Sequence, residues 1–236
     1  LGMTNNYCLL KTDSIVEGVH FTPDTSPEMI GRKAIARPFS DIAAMGGFPA
    51  HALITLGLPD EHNEDRIAAI YEGAKAIAAD HRTSIVGGDT TRSEQLWLSV
   101  SVIGKVDREH YITRTGSVAG DAVFVTGELG GSLAGKHLDF EPRILESRWL
   151  TQEFNIHAMI DLSDGLATDL RHLLVKNLGA ELLTTAIPVS RATKLASKEA
   201  PSGKTALLGA LTDGEDYELL FTVPVGDAVK LHDTWK

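Results

Sequence analysis

Short apolar runs that end in or beside an aspartate alternate along this chain with stretches of helical periodicity. That alternation constrains the fold more than any other feature. Leu9-Leu10-Lys11-Thr12-Asp13 reads as the end of a strand, and the abrupt start implies residues preceding Leu1. Ser26-Pro27 offers a capping hydroxyl followed by proline at the first helical position, and Ile30, Ala34, Ile35, Phe39 and Ile42 then recur at helical spacing until Gly46-Gly47. Pro38 should kink or split this helix. His51–Leu58 is a short apolar strand closed by Pro59, and Asn63 should cap a second helix with Ile67, Ile70, Ala74 and Ile77 along one face. Ser84-Ile85-Val86 runs as a strand into Gly87-Gly88-Asp89. Leu96, Leu98, Val100 and Val102 alternate with mostly polar neighbours, as in a strand with one buried face.

A second unit begins near Arg108, which divides the chain into an N-terminal domain over 1–107 and a C-terminal domain over 108–236. Ala122–Thr126 reads as a strand, Gly130-Gly131 as the entry to a short helix, and Ala158-Met159-Ile160 as a strand ending at Asp161. Asp164 should cap a helix striped by Leu166, Leu170, Leu173, Leu174 and Leu178. Glu181–Ile187 and Tyr217–Val223 are strand-like, and Lys194–Lys204 reads as a loop. Strands and helices alternate in both halves, so the expected fold is a two-domain mixed α/β protein.

Composition excludes several classes. Of 236 residues, 43% are hydrophobic and 23% charged, ordinary for a chain that buries a core. No apolar run approaches the roughly 20 residues that span a bilayer. The single cysteine, Cys8, cannot form an intrachain disulfide, which favours a reducing compartment such as the cytoplasm. Acidic groups outnumber basic ones 32 to 22, for a net charge of −10, which argues against wrapping a nucleic-acid backbone. A chain this acidic that binds polyanions needs metal ions to neutralise them.

The placement of the aspartates points the same way. Asp13, Asp89 and Asp161 close or nearly close apolar strands, where ligand sites of α/β folds gather. Asp41 lies in an otherwise apolar helix, and Asp164 follows Asp161 by one helical turn. Each alone reads equally as a cap or turn residue, but carboxylates brought together repel unless a cation lies between them, and hard oxygen ligands suit magnesium. Gly87-Gly88-Asp89-Thr90-Thr91 lets backbone amides approach an anion. Gly127-Glu128-Leu129-Gly130-Gly131-Ser132 resembles a phosphate loop and also reads as a plain strand–helix turn. Gly203-Lys204-Thr205 imitates the end of a P-loop, but Lys198 stands where the first glycine is needed. No Gly-x-Ser-x-Gly elbow exists, and the nine histidines lack zinc spacing. His20 after Glu17-Gly18-Val19 is the histidine to place near a site, although a surface position accounts for it as well.

Several strings together resemble the thiamine-monophosphate kinase family: Thr12–Phe21 (TDSIVEGVHF), Phe39–Gly46 (FSDIAAMG), Gly87–Thr90 (GGDT), Asp161–Leu166 (DLSDGL) and Gly214–Leu219 (GEDYEL). The first and last are specific to this kinase, and the others are shared with a superfamily that includes aminoimidazole ribonucleotide synthetase and selenophosphate synthetase. The resemblance implies transfer of phosphate from ATP to thiamine monophosphate. It implies a homodimer formed by N-terminal α/β domains that bind ATP and metal, and no nucleic-acid or membrane partner. It makes Thr12, Asp13, Asp41, Asp89, Asp161 and Asp164 the magnesium ligands, Tyr71, Gly88, Asp89, Arg114 and Ser163 the contacts to ATP, and His20 and Glu215 the contacts to the thiamine substrate. The family's leading Gly-Asp-Asp segment and an aromatic that stacks on thiamine match nothing here, so the C-terminal domain is expected to continue beyond Lys236. Gly130–Trp149 is shorter than in the family and differs in sequence. Donor and acceptor are both phosphates, so the resemblance implies direct in-line transfer clamped by several magnesium ions, with no general base. Two alternatives stay open: another ATP-dependent activity of the superfamily, and a non-catalytic nucleotide- and metal-binding relative.

Overall fold

The computed structural model describes residues 5–175, 177–199 and 203–235. The chain divides into two compact units whose segments interleave. Unit 1 comprises Leu1–Ile42, Gly47–Arg108 and Leu138–Pro142, and unit 2 comprises Ala43–Gly46, Glu109–His137 and Arg143–Lys236.

Unit 1 is built on a four-stranded sheet. The strands β1 (Asn6–Val16), β2 (Phe48–Leu58), β3 (Ser84–Arg92) and β4 (Trp97–Asp107) lie in the order β1-β4-β2-β3. β4 pairs antiparallel with both β1 and β2, and β2 pairs parallel with β3. Leu98, Val100, Val102 and Val106 of β4 are buried in alternation, as the period of two requires. Helices α1 (Pro27–Ala44) and α2 (Glu64–Asp80) carry Ile30, Ile35, Phe39 and Ile42, and Ile70, Ala74 and Ile77, into the core. α1 starts at the expected proline, and Asn63 caps α2 by accepting the Arg66 N–H at 3.2 Å. The two helices meet backbone to backbone. A Cβ on Gly31 would lie 1.8 Å from the Ile70 carbonyl oxygen, and one on Gly73 would lie 1.9 Å from that of Glu28. Of the two outcomes expected at Pro38, a split does not occur: α1 runs through it. Ile35, Phe39 and Ile42 are at most 2% exposed, and their packing outweighs a lost hydrogen bond.

Unit 2 holds a three-stranded antiparallel sheet of β5 (Asp121–Val125), β6 (Ala158–Asp161) and β7 (Leu219–Pro224), with β7 in the centre. Its helical elements are a 3-10 turn at Ser132–Ala134, the single turn α3 (Lys136–Asp139), and helices α4 (Ile144–Glu153), α5 (Leu166–Leu173), α6 (Arg191–Glu199), α7 (Ala206–Thr212) and α8 (Val225–Thr234). β7 is buried on both faces. Leu219, Phe221 and Val223 join Leu150, Phe154, Met159 and Leu231 on one side. Leu220 joins Leu129, Leu162, Leu166, Leu170 and Ala210 on the other.

Four local expectations give way. Glu181–Ile187 forms no strand; the isolated bridge Leu129–Val189 comes two residues after it, beyond Pro188, which has no N–H to donate. Lys194–Glu199 belongs to helix α6 where a loop is expected, because the Ser190 hydroxyl accepts the Thr193 N–H at 3.1 Å and caps it; residues 200–202 of that expected loop lie outside the described residues. α5 stops at Leu173, short of Leu178. Its N-cap is Gly165 rather than Asp164, whose own N–H is taken by Asp169. No described helix is long and apolar enough to cross a membrane.

Candidate active site

Unit 1 contains a cleft of about 760 Å³ between α2 and β3, within the size range of small-molecule and cofactor sites. Tyr71, Lys75, Ala78 and Ala79 line it from one stripe of α2, and Ile85, Gly87, Gly88, Asp89 and Thr90 line it from the strand. The GGDT segment is therefore not a loop after a strand but part of β3 itself. The consequence for an anion survives, because β3 is an edge strand paired only with β2, and an edge strand presents backbone N–H groups with no ladder partner. Gly88 is required by close approach: a Cβ there would lie 1.8 Å from the Ile54 carbonyl oxygen. The Asp89 carboxylate accepts the Thr90 N–H at 2.8 Å and is otherwise open to solvent.

A carboxylate pair forms the second feature of unit 1. Asp13 sits in the middle of β1 rather than at its end, since β1 pairs with β4 along its whole length. The Lys11 ammonium lies 3.4 Å from the Asp13 carboxylate and 2.9 Å from that of Asp41 on α1, and Arg37 lies 3.7 Å from Asp13. Burial pushes the Asp41 carboxyl above the usual carboxylate range; the Lys11 hydrogen bond and charge oppose this, and the neighbouring Asp13 adds to it. An ammonium between two carboxylates occupies the place of a cation, and the all-oxygen donors suit a hard one. Thr12 departs from its expected neighbours. Its exposed hydroxyl accepts from Ser101 at 3.1 Å on the opposite sheet face, as strand alternation dictates. Among the described residues, no three His, Cys, Asp or Glu side chains are gathered as a metal cage.

His20 lies in the turn after β1, where its Nδ1 accepts the Val16 N–H at 3.1 Å. The buried Lys33 donates to its carbonyl at 2.9 Å.

In unit 2 the DLSDGL and GEDYEL strings run side by side. The Glu215 N–H donates to the Ser163 carbonyl and the Tyr217 N–H to that of Leu162, each at 2.8 Å. Ser163, the exposed Asp164 and Glu215 are thus neighbours, and Asp161 is buried at the end of β6. Glu215 does not begin a strand. It has φ 57°, accepts from the Tyr217 hydroxyl at 3.0 Å and lies 3.7 Å from His137. Arg114 is exposed in the connection between β4 and β5.

Three charged groups escaped sequence reasoning. Asp169, buried on α5, accepts the Asp164 N–H at 3.0 Å, and burial pushes its carboxyl up to about 6. Lys136 and Arg143 both bind Glu218. The i, i+5 relation of Asp164 and Asp169 was a readable signal, whereas pairing across 75 residues was not. The glycine turn Gly130-Gly131 is no phosphate loop: its two N–H groups donate to the carboxylates of Asp216 and Asp213 at 2.9 and 3.0 Å.

The mixed sheet with a cleft against its glycine-bearing edge places the chain in a known class. The family described as AIR synthase related protein, N-terminal domain, matches residues 2–106. The chain is 42% identical over 226 residues to the thiamine-monophosphate kinase of Rhodopirellula baltica, covering 94% of this chain and 70% of that one. It is 36% identical over 241 residues to that of Aquifex aeolicus, covering 92% of this chain and 78% of that one. A solved structure, AaThiL complexed with AMPPCP and TMP, matches with TM-score 0.87 at 34% identity over 95% of this chain and 77% of that one. The chain belongs to the thiamine-monophosphate kinase family.

Proposed function

We propose that this protein transfers the γ-phosphoryl group of ATP to the phosphate of thiamine monophosphate, giving ADP and thiamine diphosphate. The observation that carries this reading is the cleft between α2 and the edge strand β3. Tyr71 and the small Ala78 and Ala79 offer an apolar wall to a base, and Gly88–Thr90 offers edge amides and a carboxylate to the phosphate end. The family resemblance makes Arg114 and Ser163 further contacts to the nucleotide.

Within unit 1 the carboxylates of Asp13, Asp41 and Asp89 would hold magnesium, and within unit 2 those of Asp161 and Asp164 would do the same. Bound there, magnesium ions screen the repulsion between two polyanions and align them for in-line transfer. The attacking atom is an ionised phosphate oxygen, since the second phosphate pKa is about 6, so no side chain has to take a proton. Gly88 keeps the strand backbone close to the incoming phosphates, and Asp13 and Asp41 hold the Lys11 ammonium, which a bound cation would displace or share. No side chain carries the phosphoryl group. His20 and Glu215 serve the thiamine end, where a carboxylate favours the cationic ring and accepts from an amino group. Leu10, Leu53 and Ile103, exposed at 77%, 46% and 40% on the face of the unit 1 sheet away from the helices, support a homodimer through this unit. The lone Cys8 supports a cytoplasmic setting.

The test is turnover by the purified protein with ATP, magnesium and a panel of acceptors, read as ADP and phosphorylated product. ADP should form with thiamine monophosphate and the product should be its diphosphate. Tight magnesium-dependent ATP binding without turnover of any acceptor would mark a binding module instead, and turnover of an amide or selenide would mark another activity of the superfamily.

A further inference from the structure

Lys33 is wholly buried, with 0% exposure on α1 among Ile30, Ala34 and Ile35. A charged amine in that position is costly unless it is hydrogen-bonded, and an aliphatic residue would fill the space without that cost. Its ammonium donates to the carbonyl oxygen of His20 at 2.9 Å. The turn it grips is closed by further bonds: the His20 N–H donates to the Val16 carbonyl at 2.9 Å, and the Gly18 N–H to that of Phe21 at 2.8 Å. The ring of His20 is held from the same place, with the Val16 N–H donating to Nδ1 at 3.1 Å. A ring nitrogen that accepts from a backbone N–H carries a lone pair, so the neutral ring keeps its proton on Nε2. A doubly protonated ring would set two donors against each other.

We infer that Lys33 is a positioning residue of the substrate site, which holds the Val16–Phe21 turn so that His20 presents a fixed Nε2–H donor to the acceptor substrate. The inference rests on the placement of His20 at the thiamine end proposed above. The partner it selects is an acceptor atom on the substrate, a ring nitrogen of the aminopyrimidine or a phosphate oxygen. A histidine cation is not required for binding.

The experiment pairs the ring nitrogen spectrum of His20 with kinetics of His20→Ala and Lys33→Met, a substitution that keeps the length of the stem and removes the donor. In the protein without substrate at neutral pH, the spectrum should show His20 protonated at Nε2 and not at Nδ1. Both variants should raise the Michaelis constant for thiamine monophosphate about tenfold, the scale of one lost hydrogen bond, with that for ATP unchanged. A proton on Nδ1 overturns the proposal, as does a rise for thiamine monophosphate in His20→Ala without one in Lys33→Met. So does an equal rise for both substrates in Lys33→Met. An unchanged constant in His20→Ala removes the underlying reading itself and the proposal with it. Should Lys33→Met fail to fold, Lys33→Gln, which carries an amide on a shorter stem, takes its place under the same outcomes.

Discussion

Glu218→Gln is the substitution whose cost can be worked most directly from the structure. The Glu218 carboxylate, 2% exposed, accepts from Arg143 Nε and Nη2 at 2.7 and 2.9 Å, from Lys136 Nζ at 2.7 Å and from the Thr126 hydroxyl at 2.7 Å. Glutamine keeps the shape but turns one acceptor into a donor that faces donors. Losing one charge-assisted hydrogen bond costs about 1.5–3 kcal/mol, and breaking a buried ion pair about 3–5 kcal/mol. Lys136 and Arg143 are 36% and 29% exposed and recover some hydration, which places the expected loss at about 2–3 kcal/mol. The pH dependence has a definite sign. Burial alone would raise the Glu218 carboxyl, but the hydrogen bonds and charges of Arg143 and Lys136 outweigh it and hold it below its ordinary 4.5. A carboxylate lowered on folding stabilises above its unfolded value and loses that contribution as pH falls through the folded one. Urea unfolding followed by tryptophan fluorescence from pH 8 to pH 3 should therefore show a constant gap between the two proteins down to about pH 5, which then closes with acid. A gap below about 0.5 kcal/mol at pH 7, or one that widens with acid, would refute the reasoning.

Three further outcomes follow from the site. Ala79→Phe adds a ring to the α2 wall of the cleft and should raise the Michaelis constant for ATP at least about tenfold, roughly 1.4 kcal/mol, while the thermal midpoint stays within a few degrees; unchanged ATP kinetics would remove the nucleotide from this cleft. Asp89→Asn should lower turnover at least about a hundredfold at saturating magnesium, the scale of one lost electrostatic stabiliser, and near-normal turnover would end its assignment as a metal ligand. Glu215→Gln should raise the constant for thiamine monophosphate about 10- to 150-fold and leave that for ATP unchanged; an equal loss for both would indicate a folding or metal defect.

The fold was legible where the determinant was local. Ser26-Pro27 and Asn63 start helices because capping is decided within a few residues, and the alternation Leu98, Val100, Val102 marks β4 because strand faces follow from a period of two. Ser190 is an equally local signal: three residues before Thr193 it caps α6, which runs into the stretch from Lys194 that reads as a loop. The two-sided burial of β7 was out of reach, because it depends on α4 and α8 on one face and α5 and α7 on the other, brought in from distant sequence.

The candidate site shows why a correct chemical expectation can rest on a wrong local geometry. An aspartate that follows an apolar run looks like a residue at a strand end, yet Asp13 and Asp89 lie inside strands of 11 and 9 residues. Strand length is set by the partner, and β1 continues as far as β4 offers a ladder. For Asp13, alternation then turns the side chain toward α1, where Asp41 waits, and sends Thr12 to the other face. For Asp89, the position of β3 at the sheet edge substitutes for the loop: the free edge supplies amides, and the missing Cβ at Gly88 lets the strand stay close to β2. Glycine in GGDT is thus a packing requirement toward Ile54 first, and access for an anion is what the strand's place at the edge adds.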